Sequence, residues 1–190
     1  MNPTAERLLE RAEETIRTRG YAGLSFRTLA DDVGIKSASV HYHFPTKTHL
    51  GVAVASRYQA RFGRALEQIS QRVDEPQEQL RQFVDIYGSE LRAGNNRLTI
   101  CMMLAAEKDS LPDEVNRCVS SFYQLNLDWL SAVLQQLGDA DPANRARQIL
   151  ALLQGAVLGS KTLTDIDYFE AAAAAVMQLV GVPSPTLAAN

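Results

Sequence analysis

Three histidines, His41, His43 and His49, lie close together in the 190-residue chain, a spacing that invites a metal-binding reading. The surrounding pattern is helical, and side chains two apart on a helix point about 200° from each other, so His41 and His43 cannot share an ion. No metal site is expected. Cys101 and Cys118 are too few for a disulfide framework and fit a reducing cytoplasm. The sequence offers no paired carboxylates, nucleophile elbow or Gly-rich phosphate loop, so neither an enzyme nor a cofactor is expected. A different chemistry is suggested by Ser37, Ala38, Ser39, His41 and Tyr42, which form one short, uncharged face of a predicted helix. Such a face suits base edges in a major groove, and it suits equally the wet side of two packed helices.

The residues that position this face read as a helix-turn-helix. Ser25 is expected to cap a short helix whose apolar stripe is Leu29, Ala30 and Val33. Gly34 ends it, Ile35 is expected as a buried hook, and Ser37 is expected to cap a second helix with Val40 and Phe44 inward. Ala30 lets the two backbones approach, Gly34 makes the corner and Val40 fills the shared core. A preceding helix, roughly Ala5 to Arg19, carries Leu8, Leu9, Ala12 and Ile16 on one stripe and completes a three-helix head.

This stretch resembles the TetR family of bacterial transcriptional regulators. The matching features are Gly20-Tyr21, Ser25-x-Arg27-x-Leu29-Ala30, Gly34-Ile35, and His41-Tyr42-His43-Phe44-x-x-Lys47-x-x-Leu50, within residues 4–64. The resemblance implies DNA contacts at Arg27, Lys36, Ser37, Ala38, Ser39, His41, Tyr42 and Lys47. His41 stands where the family most often has a phosphate-binding Tyr, and Ala38 where Gly is frequent. A histidine contact there would vary with pH near neutrality. The resemblance further implies a homodimeric repressor that leaves a palindromic DNA operator when a small-molecule effector binds its C-terminal domain.

Charge agrees with a nucleic-acid-binding head. Residues 1–64 hold ten Lys and Arg against six Asp and Glu, a net +4, while residues 65–190 hold nine against sixteen, a net −7. No apolar run reaches about 18 residues, so no membrane span is expected. The opening Met-Asn-Pro-Thr-Ala-Glu-Arg lacks the apolar core of a secretory signal, in keeping with a cytoplasmic protein.

The whole reads as all-α, with about nine helices. Residues 1–46 form the head, and a fourth helix over 47–73, with Leu50, Val54, Tyr58, Phe62 and Leu66 on one stripe, joins it to a ligand-binding and dimerisation body over 74–181. Asp74-Glu75-Pro76 is expected as an acidic cap opening the body, and residues 182–190 as a disordered tail. The segment from Arg97 to about Lys108 is apolar all round and is expected to be a helix buried on every side.

Phe83, Tyr87, Cys101, Met102, Leu104, Phe122, Tyr123, Asn126 and Trp129 combine apolar walls with polar handles and are candidate pocket residues. The pattern Leu98-x-x-Cys101-x-x-Leu104-Ala-Ala-Glu107 resembles TetR-like regulators that respond to electrophiles or small unsaturated acids, with Thr99 where a second Cys is frequent. The last two helices are smooth and rich in Ala and Gly. Leu153, Ala156, Val157, Ala172, Val176 and Leu179 are the candidate interface of an intermolecular four-helix bundle. The rival reading is an α-helical ligand-binding or enzymatic protein whose head mediates protein contacts.

Overall fold

A computed structural model describes residues 2–95 and 97–181, and the expected tail over 182–190 lies outside the described residues. Among the described residues the chain forms nine α-helices and one 3-10 turn. They are α1 (Pro3–Arg19), α2 (Phe26–Val33), α3 (Ser37–His43), α4 (Lys47–Arg72), α5 (Pro76–Arg92), α6 (Ile100–Ala106), the 3-10 turn Lys108–Ser110, α7 (Asp113–Gln136), α8 (Pro142–Leu163) and α9 (Asp167–Leu179). No helix among the described residues is long and apolar enough to cross a membrane.

The chain divides into two compact units. The first takes the residues up to Gly63 together with Thr99–Tyr123, and the second takes Arg64–Leu98 together with the described residues from Gln124 onward. Helices α4 and α7 each contribute residues to both.

In the first unit, the side chain of Asn2 caps α1 and Pro3 opens it. Leu8, Leu9, Ala12 and Ile16 are fully or almost fully buried, as their spacing predicts. Ser25 Oγ accepts the Thr28 N–H at 3.4 Å, and Gly34 ends α2 in the left-handed conformation at φ 74°, ψ 39°. Two local expectations fail at the next turn. Lys36, not Ser37, holds the cap position of α3, with no side-chain bond, and Ile35 is only half-buried. With Ser37 already inside the first turn, its hydroxyl is left to the exposed face.

Helix α6 is shorter and wetter than its composition predicts. The Thr99 hydroxyl accepts the Met102 N–H at 3.1 Å, which starts the helix at Ile100, and only Ile100, Cys101 and Leu104 are buried. Met102 and Met103 are half-buried and Ala106 is exposed. The helix has one buried stripe, packed in part on α1.

The first unit also holds a buried acid. Glu13 on α1 is 8% exposed and accepts from Arg17 Nη2 at 3.0 Å and Arg61 Nη2 at 2.7 Å. Burial alone pushes its carboxyl up, but the bonds from Arg61 and Arg17 outweigh this and hold it below the usual 4.5. A lowered folded pKa stabilises the fold above pH 4.5, and the contribution is lost as pH falls through the folded value. Thermal melting of Glu13→Gln should therefore lose stability less steeply below pH 4.5 than wild type, and should start about 1–3 kcal/mol less stable at neutral pH. Parallel acid limbs in the two proteins would count against this role.

In the second unit, Pro76 opens α5, although Glu75 at the cap position makes no side-chain bond, so the expected acidic cap is only positional. Leu80, Phe83, Val84, Tyr87 and Leu91 form its buried face. Gly88 is required there: a Cβ at this position would run into the Phe169 ring of α9. Arg92 reinforces the packing of α5 on α9 through Glu170 (2.7 Å), with Asp85 at 2.6 Å on its own helix. Asp141 caps α8, and α8 and α9 form an antiparallel hairpin.

Candidate nucleic-acid interface

The outward side of α3 is built by what its inward side buries. Val40 is 0% and Phe44 8% exposed, so the helix is seated by these two and turns the rest of its surface outward. Ser37, Ala38 and His41 are exposed, Ser39 is half-buried, and Tyr42 is 83% exposed. The His41 ring packs edge-on against Phe26, with centroids 4.7 Å apart, which fixes its direction on the face. Arg27 and Lys36 are exposed alongside.

Lys47, at the first position of α4, is held from behind. Its ammonium donates to the Ala22 carbonyl at 3.1 Å and lies 4.8 Å from the centre of the Tyr21 ring. The loop that carries both groups is pinned from its other side by Glu107, whose carboxylate accepts the N–H of Tyr21 at 2.9 Å and of Ala22 at 3.3 Å. The sequence contains no local sign of this latch, because its partners are 85 and 86 residues apart. An ammonium has three N–H donors, so one bond to Ala22 leaves two for a phosphate oxygen.

The described residues include no group of three or more His, Cys, Asp or Glu placed to hold a metal. His49 bonds Thr46 across 2.8 Å.

Comparison with known proteins decides what this geometry belongs to. The profile of the bacterial regulatory proteins of the tetR family matches residues 8–54, and that of the tetracyclin repressor-like C-terminal domain matches residues 99–182. A TetR transcriptional regulator from Legionella pneumophila is 31% identical, with 94% of this chain and 98% of that one covered and a TM-score of 0.88. The chain belongs to the TetR family.

It is thus a transcriptional regulator with an N-terminal DNA-binding and a C-terminal ligand-binding domain. A TetR-family regulator from Agrobacterium tumefaciens is 26% identical over 95% of this chain and 98% of its own, with a TM-score of 0.87. NemR of E. coli in its reduced form shares the fold at 20% identity and a TM-score of 0.83, over 96% of this chain and all of that one. No curated protein sequence matches the chain significantly.

The candidate pocket residues fall in two groups, one in each unit. In the second unit, the Phe83 ring stacks on Trp129 at 5.3 Å and meets Tyr87 at 5.3 Å. Tyr87 Oη donates to Asn126 Oδ1 (2.9 Å), and Trp129 Nε1 donates to Ser70 Oγ (2.9 Å). In the first unit, Phe122 packs against Phe62 and Tyr58, with Tyr123 beside it. Cys101 and Leu104 are fully buried there, and Met102 is half-buried. Burial pushes the Cys101 thiol well above its usual range, which disfavours the reactive thiolate.

Two polar groups on α8 escape sequence reasoning. Gln154 Nε2 and Ser160 Oγ are buried without a hydrogen-bond partner. Of the candidate interface residues, Leu153, Ala156, Val157, Ala172 and Val176 are buried inside the chain itself, while Leu179 is 41% exposed.

Proposed function

We propose that the protein is a homodimeric repressor, acting in the cytoplasm, that holds a palindromic operator and releases it when a small molecule enters the C-terminal domain. The observation that carries the DNA reading is the outward face of α3. It is uncharged, presents Tyr42 at 83% exposure, and is flanked by Arg27, Lys36 and Lys47. Small and hydroxyl-bearing groups read base edges, while the flanking cations meet phosphates. The contact set is Arg27, Lys36, Ser37, Ala38, Ser39, His41, Tyr42 and Lys47, in a head over residues 1–46.

For the effector, support comes from the body over 74–181, where the Phe83–Trp129 stack and the Tyr87–Asn126 pair place polar handles among aromatic walls. The unpartnered Gln154 amide supplies a donor that a polar ligand would satisfy. The remaining candidates, Cys101, Met102, Leu104, Phe122 and Tyr123, form a second candidate cluster within the first unit, on α6 and α7. Helix α4, the observed counterpart of the expected connector over 47–73, carries residues of both units and gives binding a covalent route to Lys47.

The dimer is read from the outward stripes of the α8–α9 hairpin. Ala151, Gly155 and Leu158 are exposed on α8, and Tyr168, Ala171 and Leu179 on α9. These are small or apolar, and helices bearing such stripes pack closely across a two-fold axis.

Titration of the full chain against duplex from its own upstream region, over a range of salt, tests the reading. The expected result is tight binding to one palindromic segment, weaker binding elsewhere, and affinity that falls steeply with salt. Equal affinity for specific and scrambled duplex would remove the base-reading role of α3.

A further inference from the structure

Away from the recognition face, a cleft of about 590 Å³ opens within the first unit between the early turns of α4 and α7. That volume suits a small molecule. Val52 and Ala53 give it an apolar wall, and the bond from Gln59 Nε2 to Ser121 Oγ (2.9 Å) ties the two helices at the far end.

Its charged lining, Glu114, Arg117 and His49, is exposed to water. Glu114 and Arg117 are three apart on α7, a spacing at which acid and base readily pair. Among the described residues, neither forms an ion pair or a hydrogen bond, and both line the cleft. His49 adds a ring whose polar edge is held in place: its Nδ1 lies 2.8 Å from Thr46 Oγ1, which also accepts the His49 backbone N–H at 3.2 Å.

We propose that this cleft binds a small zwitterion with an apolar body, of the aliphatic α-amino acid class. Its ammonium would face Glu114, its carboxylate would face Arg117 with the His49 ring beside it, and its side chain would lie on Val52 and Ala53. A simple carboxylate leaves Glu114 without a partner in the same space, and a simple amine leaves Arg117 without one. Discrimination against both follows from the unpaired charge each leaves behind. Thr48 and His49 directly follow Lys47 in α4. On the DNA reading given above, an occupant therefore acts on the turn that carries a phosphate contact.

Cys118 provides the test, because it lines the cleft and is half-buried, whereas Cys101 is fully buried. Alkylation of the full chain by N-ethylmaleimide, followed by intact mass, reports access to Cys118 without involving DNA. L-Leucine is expected to slow this alkylation. At equal concentration, 4-methylpentanoate and 3-methylbutylamine should protect up to about fivefold less, the difference one exposed charged contact makes. Arg117→Ala and Glu114→Gln should each remove the protection by leucine, with circular dichroism showing an unchanged fold. No protection by leucine, equal protection by either analogue, or protection retained in both variants would overturn the site. Operator binding can succeed or fail independently of all three results.

Discussion

Leu158→Arg is expected to give a folded, helical monomer, and Leu153→Arg an unfolded chain, although the two positions are five residues apart on one helix. Leu158 is 51% exposed and Leu153 is 0% exposed. An arginine at Leu153 would place an unpaired charge in the core of the second unit, which costs several kcal/mol. That is a large part of the roughly 5–15 kcal/mol that holds a domain folded. An arginine at Leu158 meets water in the isolated chain and an apolar seam only in the dimer. Gly155, one turn earlier, sharpens the distinction. A Cβ built there meets nothing within 4 Å, so its own chain does not require glycine, whereas at Gly159 the Cβ would strike Tyr168. Gly155→Ala should therefore stabilise the isolated helix, by up to about 1 kcal/mol, while weakening a dimer whose partner helix closes on that spot. Sedimentation equilibrium separates these outcomes, with circular dichroism as the fold control. Loss of the dimer should lower operator affinity by about 10²–10⁴-fold, since two linked heads bind half-sites as one ligand. A Leu158→Arg protein that still sediments as a wild-type dimer would move the interface elsewhere.

The contrast between Leu153 and Leu158 also shows where sequence reading reaches its limit. Apolar spacing identifies α8 and α9 as helices with more apolar surface than a surface helix needs. It does not say which side meets the chain's own α5 and which is left for a partner, because both sides are apolar and small. The helix-turn-helix was legible for the opposite reason. Ser25, Gly34, Val40 and Phe44 act within a few residues of one another, so a cap, a left-handed corner and an inward pair can each be read locally. Ser37 and Ile35 departed from expectation by one position and by degree, since cap placement and partial burial depend on how α3 is seated. Helix α6 misled through composition alone: a continuous apolar run suggested burial on all sides, and Met102 and Met103 proved half-buried. The latch from Glu107 to Tyr21 and Ala22 was beyond any pattern, being a contact between segments that only tertiary packing brings together.

That latch bears on the other large effect, the separation of base reading from phosphate binding. Tyr42 is 83% exposed with no ring neighbour nearer than His43 at 5.2 Å, so Tyr42→Ala removes little that the fold uses. It should cost about 1–3 kcal/mol at each half-site and should act on the specific duplex alone. Because a dimer reads two half-sites, the two losses compound. Lys47 is different in kind. Glu107 holds the amides of Tyr21 and Ala22, the Ala22 carbonyl takes one Lys47 proton, and the Tyr21 ring lies beneath the charge. The ammonium is thus set in place before any duplex arrives, and a preorganised contact loses little entropy on binding. Lys47→Ala should weaken specific and scrambled duplexes alike and lower the salt slope by about 0.9 for each phosphate contact removed. Tyr42→Ala should leave that slope unchanged and compress the ratio of specific to non-specific affinity. Titrations of both variants across salt, on one palindromic and one scrambled duplex, distinguish the roles. A slope that falls with Tyr42→Ala and stays constant with Lys47→Ala would reverse the assignment and place α3, not the start of α4, against the phosphates.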